Sequence, residues 1–173
     1  MTKRNLKKKI TIITPTFNSA QTIKLNIQSI QNQSYRNWEH LIIDNKSVDN
    51  SLEIINKNLD LRRKILSEKD EGIYDAINKG ISMAKGEIIS ILHSDDMFFN
   101  NNTLKEVINK FNTCKTDIVY GNLIYVRKND SKKILRYWKS CKFKSGLFNK
   151  GWSPPHPSFF VKKKIYKKLG VYK

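Results

Sequence analysis

Two adjacent carboxylates, Asp95 and Asp96, end the mostly apolar run 87–94. Like charges this close repel each other and are costly beside a buried strand unless a cation or strong hydrogen-bond donors balance them. Hard divalent ions such as Mg²⁺ and Mn²⁺ are held by one or two carboxylates together with phosphate oxygens, which fits this pair. A Ser-Asp-Asp turn that caps a helix is the alternative, because Asp is common at helix N-caps. The pair by itself leaves both explanations open.

A further carboxylate, Asp44, ends the apolar run 38–43. At a strand end it could accept hydrogen bonds from a ribose or a nucleobase, or it could simply form the turn before the next helix. The chain has neither Gly-x-Gly-x-x-Gly after the first apolar run nor Gly-x-x-x-x-Gly-Lys-Ser/Thr, so the usual glycine-rich phosphate cradles are absent. A bound diphosphate would then need a metal to neutralise it, and Asp96 offers a ligand for that metal.

Other polar groups have chemical potential but are ambiguous on their own. Segment 68–80 contains Asp70, Asn78 and Lys79, which are equally consistent with charge compensation at a helix N-terminus and with a solvated helix surface. His156 lies between two prolines, which stiffen its backbone. Its imidazole could act as a base, a ligand or an acceptor contact, or it could have none of these roles.

The elements that must position these side chains follow an α/β pattern, in which short apolar runs alternate with segments of helical periodicity. Strands are predicted at 10–14, 38–43, 64–67 and 87–92, the first ended by Pro15, with helices at 23–30, 51–55, 72–84 and 103–111. Ligands in an open α/β sheet gather outside the carboxyl ends of the strands. The polar clusters 14–18, 44, 68–70 and 94–96 are therefore expected to meet along one rim.

From Asp117 onward the pattern changes. A hairpin is predicted over 117–126, a strand over 157–161, and an amphipathic segment after it. Lysines and arginines alternate with aromatic residues between 127 and 168. Such interleaving is typical of a surface that contacts anionic lipid, so a peripheral membrane contact is one interpretation. A solvated basic face is the other.

Length and composition limit the class of protein. The 173 residues, 39% hydrophobic and 28% charged, fit one globular domain. No apolar stretch approaches the ~20 residues that span a bilayer, and the basic segment 1–9 is not followed by the apolar region and cleavage site of a signal peptide. We therefore expect a cytoplasmic protein in which Cys114 and Cys141 are reduced.

The net charge of +18 raises the question of nucleic acid. The lysines are spread through the chain and accompany abundant Asn and Ile, a mixture that an AT-rich genome produces without a selected partner. A nucleic-acid binder would also leave the acidic rim unexplained. We expect no nucleic-acid partner.

Five segments occur in a characteristic order: Ile-Ile-Thr-Pro-Thr-Phe-Asn at 12–18, Leu-Ile-Ile-Asp at 41–44 followed by Ser47 and Asp49, Glu-Lys-Asp-Glu-Gly-Ile-Tyr-Asp-Ala-Ile-Asn-Lys-Gly at 68–80, Ala-Lys-Gly-Glu-Ile-Ile at 84–89, and Ser-Asp-Asp at 94–96. This ordered set resembles the family 2 glycosyltransferases, which build bacterial capsule, exopolysaccharide and lipopolysaccharide sugars. The resemblance extends over the chain from Lys9 onward. It implies the GT-A fold, a mixed, mostly parallel sheet flanked by helices with a Rossmann-like N-terminal part. One domain over 1–173 would then comprise a nucleotide-sugar donor half at 9–116 and part of an acceptor half at 117–173.

The resemblance also implies roles for individual residues. The base and ribose of the donor would be held by Pro15, Thr16, Phe17, Asn18 and Asp44. Asp95 would lie near the ribose, Asp96 would bind the metal, and Asp70, Asn78 and Lys79 would line the donor pocket. Phe17 stands where the family often has a tyrosine, and Asn45 and Lys46 replace small or acidic residues, which leaves the base open.

The implied reaction is a single displacement that inverts the anomeric carbon. A divalent Mn²⁺ or Mg²⁺ would stabilise the departing nucleoside diphosphate, and a base would take the proton of a saccharide or lipid-linked acceptor at the inner face of the plasma membrane. Relatives usually place that base beyond the segment 159–172, and this sequence ends at Lys173. His156 and Asp70 are the candidate substitutes. The alternative is a truncated, catalytically inactive nucleotide-binding remnant.

Overall fold

A six-stranded sheet forms the centre of the computed structural model, which describes residues 8–127 and 130–173. The strands of the molecule are β1 (Ile10–Thr16), β2 (Trp38–Asp44), β3 (Arg63–Ser67), β4 (Ile88–Ile91), β5 (Ile118–Val119), β6 (Leu123–Arg127), β7 (Asp130–Trp138) and β8 (Phe160–Lys162). The order in the central sheet is β3-β2-β1-β4-β8-β5. β1 to β4 are mutually parallel, and β8 is antiparallel to both β4 and β5. The predicted class, a mixed and mostly parallel sheet with helices, is confirmed.

The helices are α1 (Ile23–Gln31), α2 (Ser51–Lys57), α3 (Ile73–Met83), α4 (Thr103–Thr113) and α5 (Lys163–Leu169). In α1, α3 and α4 the buried residues repeat at helical spacing, as Ile23, Ile27 and Ile30 do on α1. Two larger core clusters contain the opposite faces of the sheet. One joins α1 and α4 to residues such as Ile12, and the other joins α3 to residues such as Ile13. α3 lies very close to β1, because a Cβ on Gly80 would come within 2.4 Å of Ile13 Cγ2.

Strand β1 is longer than predicted, because Pro15 lies inside it and pairs with Ile43 of β2. The prediction that Pro15 ends the strand was wrong. The pairing with β4 stops at Ile13, whose carbonyl accepts the N–H of Leu92. Pro15 lies on the same side of β1 as Ile13, where no partner strand remains, so its missing N–H removes no sheet hydrogen bond.

The prediction of a hairpin over 117–126 was also wrong. Its first residues form β5, which joins the central sheet beside β8, and its last residues form β6, which pairs with β7. Tyr120, Gly121 and Asn122 separate the two strands. The strand predicted over 157–161 begins only at Phe160, since residues His156–Ser158 form a 3₁₀ turn. Pro157 in that turn has no N–H to donate to a sheet.

The described residues contain no helix that is both long and apolar enough to cross a membrane. Cys114 and Cys141 are exposed free thiols. Residues 1–7, which begin the basic segment 1–9, and Lys128 of the basic and aromatic stretch lie outside the described part of the chain.

Candidate active site

A cleft of about 1180 Å³ opens where the parallel strands end. Residues that follow each of the four parallel strands line it: 15–22, 45 with 49–50, 70 with 72–73 and 76, and 93–96. The prediction that four polar clusters meet along one rim is confirmed for the clusters after β1, β3 and β4. After β2 the cleft is lined by Asn45, Asp49 and Asn50 and not by the predicted Asp44. Of the predicted site residues, the following line this cleft: Pro15, Thr16, Phe17, Asn18, Asp70, Asp95 and Asp96.

The loops after β1 and β2 are tied to each other. Asn18 adopts a left-handed conformation, with φ of 47°, which asparagine tolerates better than most residues. Its N–H donates to Ser47 Oγ at 2.9 Å, and its Oδ1 accepts the N–H of Val48 at 3.0 Å. The next residue, Ser19, places its hydroxyl 2.7 Å from the hydroxyl of Ser94. Three strand ends are therefore joined into one wall of the cleft.

Asp44 lies beneath this wall and is fully buried, with 0% exposure. Its carboxylate accepts hydrogen bonds from the N–H of Ser47 at 3.1 Å and from Ser67 Oγ at 2.7 Å, and also from the hydroxyl of Ser47. It does not line the cleft. In this structure Asp44 fixes the shape of the loop that follows β2.

Asp70 lies on the far wall, between β3 and α3. Its N–H donates to Asn45 Oδ1 at 2.9 Å, and its own Oδ1 accepts the N–H of Gly72 at 2.9 Å. Gly72 has φ of 123°, a conformation that residues with a Cβ rarely adopt. The turn therefore holds Asp70 Oδ1 toward the backbone.

The two adjacent carboxylates project from the turn after β4, where Asp95 is exposed and Asp96 is half-buried. Burial, and then the negative charge of Asp95, raise the pKa of Asp96 to about 6. Within residues 8–127 and 130–173 no hydrogen bond or ion pair reaches either carboxylate. Such an uncompensated pair is a suitable ligand for a divalent cation.

The described residues contain no group of three or more His, Cys, Asp or Glu that could hold a metal by themselves. This agrees with Mg²⁺ and Mn²⁺ chemistry, in which one or two carboxylates share the ion with water and the phosphates of a nucleotide. The residues present therefore fit a metal that binds together with a diphosphate.

His156 lies near the cleft without lining it. It is exposed in the 3₁₀ turn that precedes β8, and that turn packs on β4. The pKa of the half-buried His93 is lowered, first by burial and also by the nearby charge of His156, whereas Asp95 acts in the opposite direction. His156 is therefore placed at the edge of the site, on the side of residues 93–96.

Asn78 and Lys79 do not line the cleft, although the resemblance implied that they would. Asn78 Nδ2 donates to the carbonyl of Tyr172 at 2.8 Å. Lys79 forms ion pairs with Glu68 at 3.0 Å and with Asp75 at 3.1 Å. Both side chains lie farther along α3 than the cleft, whose lining includes this helix only at Ile73 and Ala76.

Sequence reasoning missed several cleft residues, among them Ser19 and His93. These two directly adjoin a residue or strand end that was singled out, so the available signal was their position. It also missed Asn26, a polar residue on the otherwise isoleucine-rich face of α1 that is 1% exposed.

Comparisons with known proteins agree with this architecture. Among solved structures, a mannosyltransferase from Pyrobaculum calidifontis in complex with GDP-Man and Mn²⁺ superposes with a TM-score of 0.73 at 22% identity, over 96% of this chain and 48% of the other. S. aureus TarS in complex with UDP-GlcNAc superposes with a TM-score of 0.76 at 21% identity, over 95% of this chain and 48% of the other. These likenesses confirm the GT-A fold.

Sequence relatives point the same way. A PGL/p-HBAD biosynthesis glycosyltransferase of Mycobacterium bovis is 29% identical over 93% of this chain and 62% of its own length. The Escherichia coli UDP-Glc:alpha-D-GlcNAc-diphosphoundecaprenol beta-1,3-glucosyltransferase WfgD is 33% identical over 69% of this chain and 47% of its own length. The chain thus spans about half to three-fifths of these relatives. The model of Glycosyl transferase family 2 matches residues 11–170, and the chain belongs to that family.

Proposed function

We propose that the chain is a metal-dependent glycosyltransferase that moves a sugar from a nucleotide-diphosphate donor to a saccharide or lipid-linked acceptor. The observation that carries this proposal is the Asp95–Asp96 pair, whose carboxylates have no hydrogen-bond or ion-pair partner among the described residues, in the same cleft as the exposed loop after β1. Family membership supports it, as does the binding of GDP-Man with Mn²⁺ and of UDP-GlcNAc by proteins of the same fold.

The donor's nucleoside is proposed to bind against Pro15, Thr16, Phe17 and Asn18. Phe17 is 58% exposed in the cleft, so its ring is available to stack on a base. Asp95 is proposed to contact the ribose. Asp44 is proposed to act through the loop it holds, because its own carboxylate is satisfied inside the protein.

Asp96 is proposed to hold Mn²⁺ or Mg²⁺ at the diphosphate. Such an ion supplies Lewis-acid stabilisation of the departing nucleoside diphosphate. The half-buried position of Asp96 strengthens its attraction to a cation, since the surroundings screen the charge less than water does.

The acceptor hydroxyl must lose a proton as it attacks the anomeric carbon from the side opposite the leaving group, which inverts that centre. Asp70 and His156 are the proposed bases. Asp70 lines the cleft, and of its two carboxylate oxygens only Oδ1 accepts a hydrogen bond from the described residues. His156 is exposed at the rim and could reach the site from the β8 side.

We propose a role in cell-surface polysaccharide synthesis at the inner face of the plasma membrane. Residues 117–173 contain fifteen lysines and arginines and only two carboxylates, Asp117 and Asp130. A segment of this charge would be attracted to anionic lipid, by roughly 1 kcal/mol for each basic residue near the membrane surface. A lipid-linked acceptor would lie at that same surface.

Calorimetry with UDP, GDP and dTDP, each with and without Mn²⁺, tests the proposal. At least one nucleotide should bind the folded chain only when Mn²⁺ is present, and hydrolysis or transfer of the matching donor should follow. Metal-independent binding, or none, contradicts the proposal. Binding without turnover of any donor would instead favour the inactive nucleotide-binding remnant.

A further inference from the structure

Helix α1 and the turn that follows it carry a stripe of polar side chains, Asn26, Ser29 and Gln33, that faces residues 93–104. Asn26 is 1% exposed and Gln33 is 0% exposed. They are surrounded by the isoleucines of the same helix and by the core beside β4. Burying an amide side chain costs folding free energy unless its N–H and C=O groups form hydrogen bonds.

Asn26 holds the turn that presents the two carboxylates. Its Nδ2 donates to the carbonyl of His93 at 2.8 Å and to the carbonyl of Asp96 at 2.9 Å. The N–H of Asp96 closes the same turn by donating to the carbonyl of His93 at 2.9 Å. The Asn26 side chain therefore hydrogen-bonds to both ends of the segment 93–96.

Gln33 holds the next part of the chain in a similar way. Its Nε2 donates to the carbonyl of Asn100 at 2.7 Å, and its Oε1 accepts the N–H of Leu104 at 3.0 Å. Between the two amides, Ser29 Oγ accepts the N–H of Phe98 at 3.1 Å. At one end of the stripe, Asn26 hydrogen-bonds to the Asp95–Asp96 turn. At the other end, Gln33 hydrogen-bonds to the start of α4.

We propose that Asn26 is a positioning residue for the metal site, which it serves by holding the backbone of the turn 93–96. This inference rests on the proposed function. Asp95 and Asp96 repel each other, and hydrogen bonds to the backbone of their turn oppose that repulsion. Asn26 supplies two N–H donors for these hydrogen bonds, while its own Oδ1 is buried without a hydrogen-bond partner among the described residues. The amide is used for its donors, at the cost of an unsatisfied acceptor.

Two variants of the same chemistry separate positioning from general stability. Asn26→Leu and Gln33→Leu each replace a buried amide, one in α1 and one just after it, with an apolar side chain of similar size. Groups behind a metal ligand typically contribute 10–100-fold to metal affinity, so we expect Asn26→Leu to weaken Mn²⁺ binding in the presence of saturating UDP or GDP at least about tenfold. Gln33→Leu should leave that affinity within about twofold of wild type, although it lowers the melting temperature.

Hydrogen exchange of the metal-free chain provides a second readout. Asn26→Leu should raise exchange in the peptide that contains residues 93–97, and Gln33→Leu should raise it in residues 98–104 instead. Should Asn26→Leu unfold the chain, Asn26→Ser keeps one donor, and the same two measurements on it apply.

Equal Mn²⁺ affinities of wild type and Asn26→Leu, or an unchanged exchange rate in residues 93–97, overturn the role of Asn26 and leave the proposed function standing. Equal losses of Mn²⁺ affinity in Asn26→Leu and Gln33→Leu overturn it as well, because both would then act through stability. A wild-type chain that binds no Mn²⁺ with any nucleotide contradicts the proposed function itself, and the role of Asn26 with it.

Discussion

The side chain of Asn78 pairs with the backbone of Tyr172 through two hydrogen bonds, one that it donates at 2.8 Å and one that it accepts at 3.0 Å. The ring of Tyr172 also stacks on that of Tyr74, with centroids 5.6 Å apart and planes within 3°. The last residues of the chain are therefore docked on α3. This contact gives Asn78, a residue of the 68–80 motif, a structural role that needs no bound nucleotide-sugar donor.

If that explanation holds, Asn78→Ala will release the C-terminal residues and leave nucleotide affinity unchanged. Exchange should rise in the peptide that contains residues 170–173, and stability should fall by about 1 kcal/mol for the lost hydrogen bonds. Hydrogen exchange and nucleotide calorimetry measure the two effects. A loss of nucleotide affinity without increased C-terminal exchange would return Asn78 to the donor pocket.

Close packing of α3 on β1 leads to a prediction about glycine. Gly80→Ala would gain helix propensity, but its Cβ would come within 2.4 Å of Ile13 Cγ2, so we expect a net destabilisation of about 1–3 kcal/mol. Gly121→Ala is the matched control, because a Cβ there meets nothing within 4 Å. Urea unfolding should show a lower midpoint for the first variant alone. Equal midpoints would mean that α3 can move away from β1 at little cost.

The first four strands and their helices could be predicted because their signals are local. Isoleucine periodicity defines α1, and the polar residues after each apolar run lie at one rim because parallel strands share a direction. Partners distant in sequence could not be predicted. Asn26 is 67 residues from His93, and Asn78 is 94 residues from Tyr172. Likewise no local sequence pattern indicates that β5 joins the central sheet beside β8.

A buried histidine gives the chain a stability that depends on pH. His40 Nδ1 accepts a hydrogen bond from Arg63 Nε at 3.2 Å, and its Nε2 lies 2.9 Å from Thr14 Oγ1, so the neutral ring donates through Nε2. Burial, and then the charge of Arg63, hold the pKa of His40 well below its usual range. The unfolded chain thus takes up a proton at about pH 6.5, where the folded chain does not.

Stability from His40 is therefore complete above pH 6.5 and is lost as the pH falls, by up to about 1.4 kcal/mol per pH unit. Urea unfolding of wild type and His40→Gln between pH 7.5 and 5 should show a gap that narrows toward acid. Comparing the two proteins at each pH removes the contribution of Asp96, whose raised pKa acts in the opposite direction. A gap that does not depend on pH would show that His40 takes up its proton over the same pH range in the folded and the unfolded chain.

The exposed ring of Phe17 predicts a stacking contribution to nucleotide binding. Base–aromatic stacking is worth about 1–3 kcal/mol, so Phe17→Ala should weaken Mn²⁺-dependent binding of the matching nucleotide about five- to hundredfold. Phe17→Tyr preserves the ring and should bind within about threefold of wild type. Calorimetry of the three proteins decides between a stacking contact and a loop that merely closes the cleft. In the second case Phe17→Ala would bind normally.

Replacing Asp96 with asparagine separates a metal site from a capping turn. The raised pKa of Asp96, about 6, means that its charge destabilises the metal-free fold above pH 6 and that this cost disappears as the pH falls toward 4. Asp96→Asn should therefore stabilise the metal-free chain at pH 7.5 by about 1–2 kcal/mol, less than the full shift implies because the group is partly solvated. With Mn²⁺ and nucleotide the order should reverse, because only wild type binds them. Urea unfolding measures the stability of both proteins without metal at pH 7.5, without metal near pH 4, and at pH 7.5 with Mn²⁺ and nucleotide. The exposed Glu106→Gln on α4 is the control, and its stability should change little. A capping carboxylate behaves otherwise: its removal would lower stability at pH 7.5 whether or not Mn²⁺ is present.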